Sequence, residues 1–144
     1  MFTTTLVTAL VLALPHGWHA WRADPAVHST CDPALLMVAG SERPRLGPAG
    51  WRAPHRGHVM VLVEVDHTNR PLGPLSRPHH FHVPWSHLER LEGCCGTPAA
   101  RGVVFWFRER RHLLGVIVVA GRDVPTVRRR ATERMLASLR LRRY

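Results

Sequence analysis

The sequence contains no Lys and no Gln, and only one Asn (Asn69), one Ile (Ile117) and one Tyr (Tyr144). Lys, Asn and Ile have AT-rich codons, whereas the plentiful Arg, Ala, Gly and Pro share GC-rich ones. The skew therefore marks a GC-rich genome, of the actinobacterial kind, before it marks a function. Acids are scarce as well: ten Asp and Glu stand against twenty Arg, a formal charge of +10. Codon usage does not account for that imbalance, because Asp and Glu codons are not AT-rich. Three cysteines, Cys31, Cys94 and Cys95, are too few, and odd in number, for a disulfide framework. There is no G-x-G-x-x-G, P-loop, H-E-x-x-H, C-x-x-C or G-x-S-x-G, so the sequence fingerprints of dinucleotide, nucleotide, zinc-hydrolase and serine-hydrolase chemistry are all missing.

The 144 residues are 45 % apolar and 21 % charged, which is the balance of an ordinary folded chain. This excludes a disordered charged tail, a collagen-like chain and a disulfide-dense mini-domain, and it fits one domain over residues 1–144. The charge is uneven. Residues 1–107 hold nine Arg and seven acids, whereas residues 108–144 hold eleven Arg and three acids. A basic C-terminal field of this kind attracts nucleic acid, anionic lipid or an acidic partner, and also simply solvates a surface.

Residues 6–14 (LVTALVLAL) form a nine-residue apolar run. It has the length of a signal-peptide core, but no cation precedes it and no A-x-A site follows. It falls short of the ~20 residues of a helical membrane span. A first strand over residues 5–14 that stops at Pro15 is the preferred reading, which tilts the compartment toward the cytoplasm over export or membrane association.

Residues 35–39 are a short apolar run, strand or single helical turn, and residues 40–57 read as a loop rich in Gly, Pro and Arg. Residues 58–66 (HVMVLVEVD) are the clearest strand, β-branched and alternating. Residues 80–83 suit a short strand ending at Pro84. Residues 103–108 and 113–120 form a hairpin across Glu109, Arg110 and Arg111, with Gly115 marking a bulge or close packing. The closing element is a helix over residues 124–139, with Asp123 as N-cap and Pro125 in the first turn. Its apolar stripe is Val127, Ala131, Met135 and Leu139, flanked by Val124 and Leu136. Residues 140–144 form a basic tail. Together these elements predict an α+β fold: a twisted antiparallel sheet of about five or six strands with a C-terminal amphipathic helix packed on one face.

Several short motifs recur in small uncharacterised actinobacterial proteins. They are Leu14-Pro15-His16-Gly17-Trp18, Asp32-Pro33 before an apolar run, a Cys-containing loop followed by the aromatic strand of Phe105 and Phe107, and a strand ending in Ala-Gly before the helix that closes on Leu136-Ala137-Ser138-Leu139. The chain resembles that group over most of its length and, more distantly, the Mog1/PsbP-like fold. The resemblance implies a twisted antiparallel sheet with packed helices. It implies no activity, cofactor or catalytic residue.

Eleven His are many for this length. On a strand, His80 and His82 share a face, and with Cys94 and Cys95 they make a candidate Zn²⁺, Ni²⁺ or Cu²⁺ site. The bland alternative is a polar strand face that accepts His. Cys31 bridged to Cys94 or Cys95 would close a loop of over sixty residues, worth about 4 kcal/mol in the chain-entropy model. In a reducing compartment the same residues are thiols. Arg128, Arg129, Arg130 and Arg134, with Arg108, Arg110, Arg111 and Arg122 nearby, are the candidate anion-binding surface. Trp85, beside Pro84, is the candidate partner contact, with core packing as its plain alternative. No paired acids and no Ser/His/Asp pattern point to catalysis. The expectation is a non-enzymatic binding or accessory module with an unknown protein partner, no cofactor and no transmembrane span. An Arg-rich binder of nucleic acid or anionic lipid and a His/Cys metal protein are the alternatives.

Overall fold

The computed structural model describes residues 10–22, 34–48, 50–66, 71, 73–92 and 98–141. The strands are β1 (Leu10–Val11), β2 (His19–Arg22), β3 (Ala34–Gly40), β4 (Leu46–Gly47), β5 (Gly50–Trp51), β6 (Val59–Asp66), β7 (Glu89–Arg90), β8 (Arg101–Glu109) and β9 (His112–Ala120). Helix α1 (Thr126–Ala137) and strand β10 (Arg140–Leu141) follow. The main sheet has six strands in the order β2-β3-β6-β9-β8-β7, antiparallel throughout. With α1 it makes the α+β architecture that the sequence predicts.

All eight residues of β6 are buried, and the period-2 pleat explains how. Val59, Val61, Val63 and Val65 point to one core, shared with Val116 and Val118 of β9 and Phe107 of β8. Helix α1 covers that core with Met135 and Leu136. Met60 and Leu62 point to the other face, where Val38, Ile117 and Val119 join them beneath Trp51. Trp51 arrives on the β4–β5 hairpin and meets Trp21 of β2 edge-on, with ring centroids 5.1 Å apart. The region read as a plain loop thus carries the second lid of the sheet. A register shift between Leu35 and Met37 sends both Leu36 and Met37 to the helix side.

Other expectations need correction. Residues 80–83 form no strand. Phe81 and Val83 are buried while His80 and His82 are exposed, so the chain is held by side-chain burial. Phe81 packs on Phe105 and Phe107 at 5.3 and 5.1 Å, in a stretch bracketed by Pro78 and Pro84. The helix begins at Thr126 with Pro125 as N-cap and no side-chain cap. Asp123 instead sits at φ 54 and pairs with Arg56. The buried face of α1 runs through Thr132, Met135 and Leu136, and Val127 is 77 % exposed. Arg140 and Leu141, at the start of the stretch read as a basic tail, pair as β10 with Val11 and Leu10. Glu109 fastens this end, accepting from the Leu141 N–H at 2.9 Å and lying 3.4 Å from His79 Nε2. The hairpin turn is two residues, Arg110 and Arg111, both at positive φ. At Gly115 the alternative of close packing holds: a Cβ there would lie 2.9 Å from the Trp106 ring.

Candidate functional site

The ends of β8 and β9 farthest from their shared turn meet the start of α1 and the loop before β6. Backbone bonds lock these segments together. Gly57 N–H donates to Arg122 C=O at 2.6 Å, His58 C=O accepts from Gly121 N–H at 2.8 Å, and Arg128 reaches across to the Gly57 carbonyl at 2.7 Å. Gly121 permits this approach, because a Cβ there would lie 2.1 Å from the His55 carbonyl oxygen. The walls leave a cleft of about 830 Å³.

Four guanidiniums line it: Arg56 before β6, Arg101 at the start of β8, Arg122 after β9 and Arg129 on α1. Asp123 is the one carboxylate in the lining among the described residues, and it pairs with Arg56. No carboxylate among the described residues pairs with Arg101, Arg122 or Arg129. Ala120, Val124 and Leu88 supply apolar wall. A cluster of like charges without counter-charges creates a positive potential in a concave surface, which concentrates anions there.

Arg129 is held in place. Its Nε donates to the Val124 carbonyl at 2.9 Å, and its guanidinium lies over the Trp85 ring at 5.7 Å. Trp85 is oriented in turn by its indole N–H, which donates to Glu133 Oε1 at 3.0 Å. A turn closed by His87 N–H on Pro84 C=O at 2.8 Å presents Trp85 to the cleft. With Nε engaged, the terminal nitrogens of Arg129 remain as a fork for an oxyanion.

Of the residues singled out in the sequence, Arg129, Trp85 and Arg122 come together here. Arg128 is half-buried on the Gly57 carbonyl, and Arg130 and Arg134 are exposed on the helix outside the lining. Arg110 and Arg111 lie at the opposite end of the nine-residue strands, roughly 25 Å away at strand rise, so they cannot contribute. Arg56 and Arg101 were not expected. Each is a lone Arg in a turn or at a strand end, and only the antiparallel register of the hairpin brings Arg101 to the same end of the sheet as Arg122.

His80 and His82 are exposed without a shared strand, and no group of three metal-binding side chains occurs among the described residues. Cys31, Cys94 and Cys95 fall outside the described residues, so neither the bridge nor the thiolate ligands have a geometry here. Ser41, His58 and Glu42 do cluster: Ser41 Oγ lies 3.0 Å from His58 Nδ1, and His58 Nε2 lies 3.8 Å from Glu42. Ser41 Oγ also accepts the Val59 N–H at 2.9 Å, which ties it to the edge of β6. Glu42 accepts from the His55 N–H at 2.8 Å and lies 2.9 Å from His55 Nδ1. Burial opposes ionisation of Glu42, but the two His55 hydrogen bonds and the attraction of His58 and His55 outweigh it and hold the carboxyl below its usual value. The cluster is a brace for the loop that carries Trp51.

No family model, no curated protein and no solved structure matches the chain. No helix among the described residues is long and apolar enough to cross a membrane. The cleft itself carries the functional argument.

Proposed function

We propose that the protein is a non-enzymatic binding module whose ligand is an anion seated in the arginine cleft. One observation carries this reading: three guanidiniums, Arg101, Arg122 and Arg129, line one concavity, and no carboxylate among the described residues pairs with them. A solvated charge run explains exposed arginines on a convex helix face, as at Arg130 and Arg134. It does not explain cations gathered from three separate segments and, at Arg129, oriented by a tryptophan. The volume lies in the usual range of small-ligand clefts. Among the described residues the lining holds one hydroxyl, Ser86, and no His or Cys, and its one carboxylate, Asp123, is paired with Arg56, so it offers cationic binding groups above all.

Retention on heparin tests the reading through position rather than charge. Arg101→Ser/Arg122→Ser and Arg130→Ser/Arg134→Ser remove the same two charges. The cleft pair should lower the eluting salt concentration clearly, and the helix pair should barely move it, because contacts in a focused field dominate retention. Equal losses from both pairs would reduce the effect to net charge and remove the cleft from the explanation.

A further inference from the structure

We infer that the cleft takes an oligophosphate, a chain of phosphoryl groups carrying several charges, and that Asp123 is a built-in counter-anion which such a ligand displaces from Arg56. This rests on the anion-cleft reading and goes beyond it by naming the ligand chemistry and the residue that selects for it.

The placement of Asp123 is the starting point. It precedes a helix, where an Asp usually caps the free N–H groups. Here the N-cap is Pro125, no side chain caps the helix, and the first turn contains no acid. The Asp123 carboxylate turns instead to Arg56, on the loop before β6, and both residues line the cleft. The residue holds a left-handed backbone at φ 54, a conformation that Asp and Asn tolerate better than most residues. Among the described residues, Asp123 is thus the single anion in a lining with four cations, and it pairs with one of them.

The pair is easily opened. Its side chains are 77 % and 65 % exposed, and ion pairs in that setting contribute little to stability. The walls around it are not easily moved, because the Gly57, Gly121 and Arg128 bonds fix both segments. A ligand therefore meets three available guanidiniums on a rigid frame and a fourth behind a weak latch. A singly charged anion gains too little from Arg56 to compete with a tethered carboxylate already there. A chain of phosphates satisfies Arg101, Arg122 and Arg129 and still has charge to place on Arg56. Its length suits a cleft of about 830 Å³ whose cations come from four different segments. Asp123 swings toward solvent as the chain enters, with no covalent step.

Calorimetric titration of inorganic triphosphate into the full chain tests this. Asp123→Asn keeps the shape and the left-handed backbone but removes the charge. It should bind triphosphate about fivefold more tightly than the parent at low salt, with the gain shrinking as added salt screens the charges. Glu92→Gln makes the same net-charge change at an exposed position outside the cleft and should shift affinity less than twofold. Arg56→Gln/Asp123→Asn removes the cation that the latch guards and should erase the gain. Unchanged or weaker binding by Asp123→Asn overturns the counter-anion role while leaving the anion cleft standing. An equal gain from Glu92→Gln overturns it too. If the parent binds inorganic phosphate as tightly as triphosphate, the oligophosphate assignment is wrong. If neither the parent nor Asp123→Asn binds either probe, and the cleft pair keeps its heparin retention, the anion-cleft reading itself falls.

Discussion

Gly121→Ala probes the frame on which the cleft depends. The added methyl carbon would sit 2.1 Å from the His55 carbonyl oxygen, 2.8 Å from its carbon and 3.1 Å from the Pro54 oxygen. All three are backbone atoms, so no side chain can rotate out of the way. The 54–58 segment must move, and the Gly121–His58 and Gly57–Arg122 bonds go with it. Overpacking of this kind costs about 1–3 kcal/mol, and two weakened backbone hydrogen bonds add about 1 kcal/mol each. A loss of about 3 kcal/mol follows. For 144 residues the unfolding entropy is about 0.3 kcal/mol/K, so Tm should drop by about 10 °C. Thermal unfolding followed by far-UV circular dichroism reads this directly. Gly73→Ala is the control, since a Cβ there meets nothing within 4 Å, and it should leave Tm within about 2 °C. A fall below about 3 °C for Gly121→Ala would show that the 54–58 segment yields freely, and the cleft could not then be called rigid.

Four further outcomes follow. Trp85→Phe removes the N–H that Glu133 accepts and loosens Arg129; triphosphate affinity should fall about threefold, whereas stability should change by no more than about 1 kcal/mol, and unchanged affinity would deny Trp85 its positioning role. Arg110→Asn/Arg111→Gly relieves two left-handed non-glycine residues in the hairpin turn and should stabilise by about 1 kcal/mol; Arg110→Gln/Arg111→Gln removes the same charge, and an equal gain from it would assign the effect to repulsion instead. Glu42 has a lowered pKa when folded, so its contribution is fully present above the unfolded value near 4.5 and is lost as pH falls through the folded one; denaturant titrations from pH 6 to 3 should show Glu42→Gln losing less stability than the parent over that window, and parallel curves would sink the assignment. Val127→Ala on the exposed side of α1 should be neutral or stabilising by about 0.5 kcal/mol, whereas Leu136→Ala, fully buried, should cost about 3 kcal/mol; reversed effects would mean that the helix is rotated.

The parts of the fold legible in the sequence are those where burial repeats regularly. The alternating valines of β6 and the apolar strands of the hairpin carry their own period, and each falls where that period puts it. The helix is where a simple repeat stops matching burial. Residues 127, 131, 135 and 139 form an i+4 ladder, but a strict four-residue step drifts around a 3.6-residue turn, and Val127 at the far end rotates into solvent. The face that packs is 132, 135, 136 and 139, with a threonine whose hydroxyl is satisfied by the Arg128 carbonyl at 2.8 Å. Polar residues made acceptable by a local bond do not register in a hydrophobic pattern. The short pairings of β1 with β10 and β4 with β5 are equally silent, because two residues carry no period and only tertiary proximity selects them.

The same limit explains why the arginine run at 128–130 pointed near the site but not to it. A run of like charges along a helix spreads over about 100° per residue, so its members face different surroundings. Arg128 is spent on the Gly57 carbonyl, Arg129 is fixed on Trp85, and Arg130 is in water. Charge density along the chain therefore predicts solubility better than recognition. What the proposed anion site requires is convergence, and here it comes from Arg101, Arg122 and Arg129, which line one cleft from separate segments. The hairpin register brings the first two to one end of the sheet: β8 begins where β9 ends, with Gly102 opposite Val119 and Arg122 just past the end of β9. A one-residue slip would turn Arg101 to the other face of the sheet and dissolve the site without changing the sequence's charge at all.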